Sequence, residues 1–215
     1  MKANWGQQPN FQPEKAPLRE EPRNSVAVPS FAPWSLPSLE GRLVEISGDV
    51  AGAPLTLVFR LVLEAQRRGE PAAWVGRRDS IFYPPDVAEA GIDLAAFPVV
   101  WTPDAIRAAE AADLLLRSGA FGLVVVDFGA ASRLPMHAPN RLAALAQKHT
   151  AVVACLTEKD AERPSLGALV SVRAHAAREE RLDDRFRCAL RFVKDKRRAP
   201  GARHVEIFRG PDGLH

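Results

Sequence analysis

The segment that most restricts the fold is "LLLRSGAFGLVVVD", residues 114–127. A helical end meets a glycine stop, and a near-continuous apolar strand follows. Such a strand must be covered on both faces, which places it at the centre of a parallel sheet between layers of helices. The pattern recurs along the chain. "RLVEIS" (42–47), "PAAWVG" (71–76), "FPVVW" (97–101) and "TAVVACL" (150–156) read as strands. Helical periodicity fills the gaps between them. In "PLTLVFRLVLEAQRRG" (54–69), Leu57, Leu61, Val62 and Ala65 share one face, and Arg67, Arg68 and Gly69 close the helix. "PPDVAEAG" (84–91) predicts a short helix with proline at its start, and "APNRLAALAQKH" (138–149) another. "TPDAIRAAEAADLLLRSG" (102–119) predicts the clearest helix, with Thr102 as N-cap, Pro103 at the first position and Gly119 as the stop.

The texture then changes. "GALVSVRAHA", "FRCALRFVKDK" and "ARHVEIFRG" alternate apolar and polar residues with no helix between them. They predict antiparallel strands appended to one sheet edge. One α/β domain with a mixed, mostly parallel sheet results, spanning residues 36–215. Residues 1–35 read as a separate tail. Seven prolines within residues 1–40, at positions 9, 13, 17, 22, 29, 33 and 37, predict extended or disordered backbone. The tail also carries Trp5, Phe11, Phe31 and Trp34, which mark it as a docking segment. No internal repeat is visible.

Composition narrows the function classes. No run of 18 apolar residues exists, so no membrane span is expected. The start "MKANWGQQPNFQPEK" lacks the apolar core of a secretory signal, so the cytoplasm is the expected compartment. Cys155 and Cys188 lie in strand-like runs and predict buried thiols. Without a Cys/His cluster, no metal site is expected. The net charge of +3 is uneven: residues 173–209 hold 12 Lys/Arg against 6 Asp/Glu. That end fits an acidic partner, nucleic acid, or an arginine-guarded sheet edge.

The order strand, glycine-bearing loop, helix over residues 41–69 is where a phosphate-binding loop belongs. Several blocks around it resemble one family in the same chain order. "LPSLEGRLVEISG" looks like the entry to the RecA phosphate loop, and "LVLEAQRRGEPAAWV" resembles the helix and strand after it. "LLLRSGAFGLVVVD" is similar to the strand ending in the Walker B aspartate, and "RFVKDKRRAPGARHVEIFRGPDGL" to the late RecA strands. The chain therefore resembles the RecA core over about residues 36–215, and more closely its degenerate relatives of the ImuA type. The resemblance implies a RecA-like P-loop NTPase fold with a degenerate nucleotide site.

The departures decide the expected chemistry. In the loop "GDVAGAPL", Gly48 holds the first glycine position, followed by Asp49, and after Gly52 Ala53 holds the second. Pro54 falls on the lysine and Leu55 on the Ser/Thr that would ligate Mg²⁺. Lysine's cation is lost, proline deletes an N–H from the anion nest, and leucine cannot bind metal. Arg78 falls at the position of the catalytic acid, and a guanidinium cannot be a general base. Asp127 remains as a Walker B remnant, and Thr157 lies near the family's nucleotide-sensing glutamine. No catalytic residue and no cofactor are expected. The loops "GAASRLPMHAPN" and "TEKDAERPSLG", where recombinases bind DNA, are short and lack aromatic residues, so DNA binding is expected to be weak or absent.

In RecA filaments, lysines on the "FVKDK" strand reach the neighbouring protomer's nucleotide. Lys194, Lys196, Arg197 and Arg198, with Phe31 and Trp34, are accordingly the candidate partner-binding residues. The ImuA resemblance implies a non-catalytic accessory role in SOS DNA-damage tolerance and translesion synthesis. Its implied partners are RecA, an ImuB-type Y-family polymerase homologue and, indirectly, a DnaE-type polymerase, with nucleoid association when bound to RecA. Alternatives are a SulA-type cell-division inhibitor and a sequence-independent DNA-binding module.

Overall fold

A computed structural model of the chain describes residues 34–48, 52–80, 82–130, 134–182, 185–198 and 201–209. The larger part of the predicted tail, including Trp5, Phe11 and Phe31, lies outside the described residues, as does Asp49. A short helix α1 (Leu36–Leu39) leads into β1 (Arg42–Gly48). There follow α2 (Ala53–Arg67), β2 (Ala72–Arg77), α3 (Pro84–Glu89), β3 (Val99–Thr102), α4 (Ala105–Ser118), β4 (Leu123–Asp127), α5 (His137–His149) and β5 (Val152–Thr157). Three long strands complete the sheet: β6 (Val172–Leu182), β7 (Arg185–Asp195) and β8 (Arg203–Arg209).

The sheet order is β3-β2-β4-β5-β1-β6-β7-β8. All neighbours from β3 to β6 are parallel, and only β6–β7 and β7–β8 are antiparallel. Successive late strands are antiparallel to one another, as expected, but the first of them joins the sheet in parallel. β6 runs parallel to β1, with Val44 opposite Val172 and Gly48 opposite Ala176. The segment 158–171 carries the chain back to the start of the sheet without a helix, and so gives no helical period to read in the sequence.

Alternation along the inner strands feeds two cores. Val44 and Ile46 of β1 face α2, whose Leu57, Val58, Leu61 and Val62 are all fully buried. Leu43, Val124, Val126 and Val153 face the opposite layer, built from α4 and α5. Each such aliphatic side chain contributes roughly 1.5–3 kcal/mol on burial. Ala108, Ala109 and Ala112 keep the α4 surface low, and Asp113 ties α4 to α5 through Arg141. The start of α4 differs from the predicted cap. Asp104 is the N-cap, accepting from Arg107 N at 2.8 Å, while Thr102 ends β3 and donates to Gly76 O. Asp104 wins because its carboxylate is two residues nearer the first free amides of the helix. Gly119 closes α4 in the left-handed conformation, φ +70°, as the sequence predicts.

Candidate functional site: the cleft at the C-terminal end of the sheet

In open α/β sheets, ligands sit beyond the C-terminal ends of the strands. Here β1, β4 and β5 end around one cleft lined by Gly48, Pro54, Leu55, Asp127, Thr157 and Glu158. Gly48 is held at φ +154°, and a Cβ there would lie 2.4 Å from Ala176 O of β6. The glycine is thus required by the approach of β6. Gly52 is the N-cap of α2, Ala53 its first residue and Pro54 its second. Pro54 is buried and offers no N–H to an anion. Leu55 packs against the α2-side core. The space these residues leave measures about 10 Å³, room for roughly one water molecule.

Asp127 is 4% exposed at the end of β4. Ser80 Oγ donates to its Oδ2, and Gly129 N donates to its Oδ1 at 3.0 Å. Both carboxylate oxygens are therefore engaged by the chain itself. Ser80 was not among the candidate site residues read from the sequence. Arg78 is exposed, and its backbone N–H donates to Thr102 O at 3.2 Å. Beside it, Arg77 grips Asp79 with two hydrogen bonds of 2.9 and 2.5 Å, and the Arg77 hydrogen bond holds the Asp79 carboxyl below its ordinary range. Asp79, the carboxylate next to Arg78, is thus tied to Arg77.

Thr157 turns inward, donating to Glu45 Oε1 at 3.3 Å. Glu45 is the centre of a network that the sequence reading missed. Wholly buried on β1, it pairs with Lys159 and accepts from Ser165 Oγ at 2.7 Å and Leu166 N at 2.9 Å. Lys159 also donates to Pro164 O at 2.6 Å, and Arg173 to Asp160 O at 3.0 Å. The segment after β5, where recombinases bind DNA, is thereby fastened to the sheet.

The "FVKDK" residues lie elsewhere. Asp195 pairs with buried Arg42, which also holds Ser171 O at 3.1 Å. Val172 links Asp195 to Val44 in register, four residues before Gly48, or about 13 Å along the strand. Lys194 donates to Ala168 O at 3.2 Å, and partial burial followed by the charge of Lys196 lowers its pKa. Lys196, Arg197 and Arg198 are exposed in the turn after β7. Asp195 is thereby set off along the sheet from the cleft. The choice of Trp34 as a partner anchor is corrected: it is 3% exposed, and its Nε1 donates to Leu57 O of α2 at 3.1 Å. With Leu36 and Leu39 it belongs to the domain's own core.

Comparison with known proteins places this geometry. The profile of the RecA N-terminal domain matches residues 35–156, more than half of the chain, and this span runs from α1 to the last residue but one of β5, with Gly48, Pro54, Leu55 and Asp127 of the cleft inside it. The chain belongs to the RecA family. Protein RecA of Leifsonia xyli subsp. xyli is 35% identical over 120 residues, 55% of this chain and 32% of that protein. Protein RecA of Clavibacter michiganensis subsp. michiganensis is 35% identical over 119 residues, again 55% of this chain and 32% of that protein. That of Rubrobacter xylanophilus is 39% identical over 92 residues. The chain thus spans about a third of the length of RecA proteins that it matches. The matched RecA-like region carries Pro54, Leu55 and Arg78 within it. Among the described residues no helix is long and apolar enough to cross a membrane.

Proposed function

We propose that this RecA-like chain works by contact, without turning over ATP, as an accessory protein of the ImuA type in SOS DNA-damage tolerance. The observation that carries the reading is the state of Asp127, the residue from which Mg²⁺ chemistry would be run. Ser80 and Gly129 each hydrogen-bond one of its oxygens, Pro54 and Leu55 stand where a lysine and a hydroxyl would be, and about 10 Å³ of space remains. Phosphoryl transfer depends on cations and oriented donors around the phosphates, and these residues supply neither.

The partner in this reading is RecA itself. The chain presents a RecA-like sheet and the exposed Lys196, Arg197 and Arg198 turn, but lacks a working nucleotide site for a neighbour to close upon. Added to a growing RecA filament, such a subunit ends it. An ImuB-type polymerase homologue, and through it a DnaE-type polymerase, would then be recruited where recombination has been halted. The test is the DNA-stimulated ATPase of RecA, measured with increasing amounts of the full chain and of a Lys196→Ala/Arg197→Ala variant. The wild-type chain is expected to lower RecA turnover, and the variant to lower it less. Turnover unaffected by the wild-type chain contradicts the proposal.

A further inference from the structure

The C-terminal sheet extension has two unlike faces. On one, Phe186 and Phe208 stack at 5.8 Å, Arg178 caps Phe186 at 4.2 Å, and α2 packs beside Phe192. On the other, β8 presents Arg203, Val205, Ile207 and Arg209, all exposed. Val205 and Ile207 are 41% and 55% exposed, an apolar centre between two arginines. The register sets Arg191 directly across from Arg203, Arg187 across from Ile207 and Arg185 across from Arg209.

Like charges directly opposite on one sheet face destabilise it. These arginines have partners within the chain: Arg203 meets Glu179, Arg191 lies 3.8 Å from Glu162, and Arg185, Arg187 and Arg209 are engaged as well. Five arginines, at 185, 187, 191, 203 and 209, stand on this face, with Glu162 and Glu179 beside two of them. β8 is also the last strand in the sheet, so its outer N–H and C=O groups have no ladder partner among the described residues. Edge strands are normally blunted by inward charges, proline or bulges. Here the arginines stand at the ends and the middle is apolar.

We propose that this face and the outer edge of β8 dock an acidic, extended segment of a partner protein, which adds as a further strand. The ladder supplies main-chain hydrogen bonds, Val205 and Ile207 take its apolar side chains, and the flanking arginines select for carboxylates. The surface fits a peptide better than nucleic acid. The phenylalanines of these strands point to the other face, leaving bases nothing to stack on. Two strands, β6 and β7, separate this edge from β1, so the surface stands or falls independently of the nucleotide cleft.

The probe is a labelled peptide of alternating Glu and Val, titrated into the full chain by fluorescence anisotropy beside its Lys/Val counterpart and a short oligo-dT. The acidic peptide is expected to bind, its lysine counterpart not, and oligo-dT more weakly than the acidic peptide. Val205→Ser/Ile207→Ser and, separately, Arg191→Glu/Arg203→Glu should each weaken binding about tenfold or more, the scale of one lost charge-assisted contact. In the wild-type chain, which needs no variant to fold, the amides of residues 203–209 should gain hydrogen-exchange protection when the peptide is added. No acidic-peptide binding, equal binding of both peptides, tighter binding of oligo-dT, or unchanged exchange in β8 each overturns the proposal.

Discussion

Glu45 has no solvent exposure and yet gathers Thr157, Lys159, Ser165 and the Leu166 amide around its two oxygens. Its energetic weight comes from what removal would strand. Glu45→Ala leaves the Lys159 ammonium buried without its counter-charge, a loss of about 3–5 kcal/mol in urea unfolding. A value under 1 kcal/mol would show that the network holds nothing. Gly48 is fixed by a different cause. Gly48→Ala brings a Cβ within 2.4 Å of Ala176 O at a φ of +154°, and should cost about 2 kcal/mol or more by the same assay. The glycine at position 48 is then explained by the neighbouring strand. Neither Glu45 nor Ser80 could be picked from the sequence for these roles. Ser80 meets Asp127 across 47 positions, and Glu45 meets Ser165 across 120, distances over which local periodicity carries no information.

The elements themselves were legible, because their signals are local. Apolar runs gave the buried parallel strands, the i, i+4 pattern Leu57–Leu61–Ala65 gave α2, and Gly119 gave the end of α4. The direction of β6 was not legible. An alternating strand reads the same parallel or antiparallel, and only the return path through residues 158–171 sets it. Trp34 was misplaced for a related reason: proline-rich surroundings hide a residue that a three-dimensional pocket on α2 receives. Two predictions belong to elements. Cys155 on β5 and Cys188 on β7 are buried free thiols. Burial pushes the pKa of Cys155 well up and that of Cys188 up to about 11. Neither should react with a thiol reagent at neutral pH until the chain is unfolded, and rapid labelling of the native protein would contradict the packing. At the start of α2, Pro54→Lys/Leu55→Thr should not restore ATP turnover, since Ser80 still holds Asp127 and Arg78 still replaces the acid. Turnover by that variant would mean that the loop alone was limiting.

At the scale of the whole molecule, the sheet and its two helical layers are those of the RecA family, while the cleft at its C-terminal end is narrow and its Asp127 is bonded within the chain. In the reading proposed above, fold and chemistry have separated because they depend on different atoms. The sheet needs Gly48, Val44 and Ile46; phosphoryl transfer needs a lysine, a hydroxyl and an acid that positions 54, 55 and 78 do not supply. The claim is tested most directly by isothermal titration of the purified full chain with Mg²⁺-ATP, followed by a phosphate-release assay on the same sample. The account predicts no binding heat and no release above buffer. Saturable binding together with phosphate release that Asp127→Ala abolishes would contradict it.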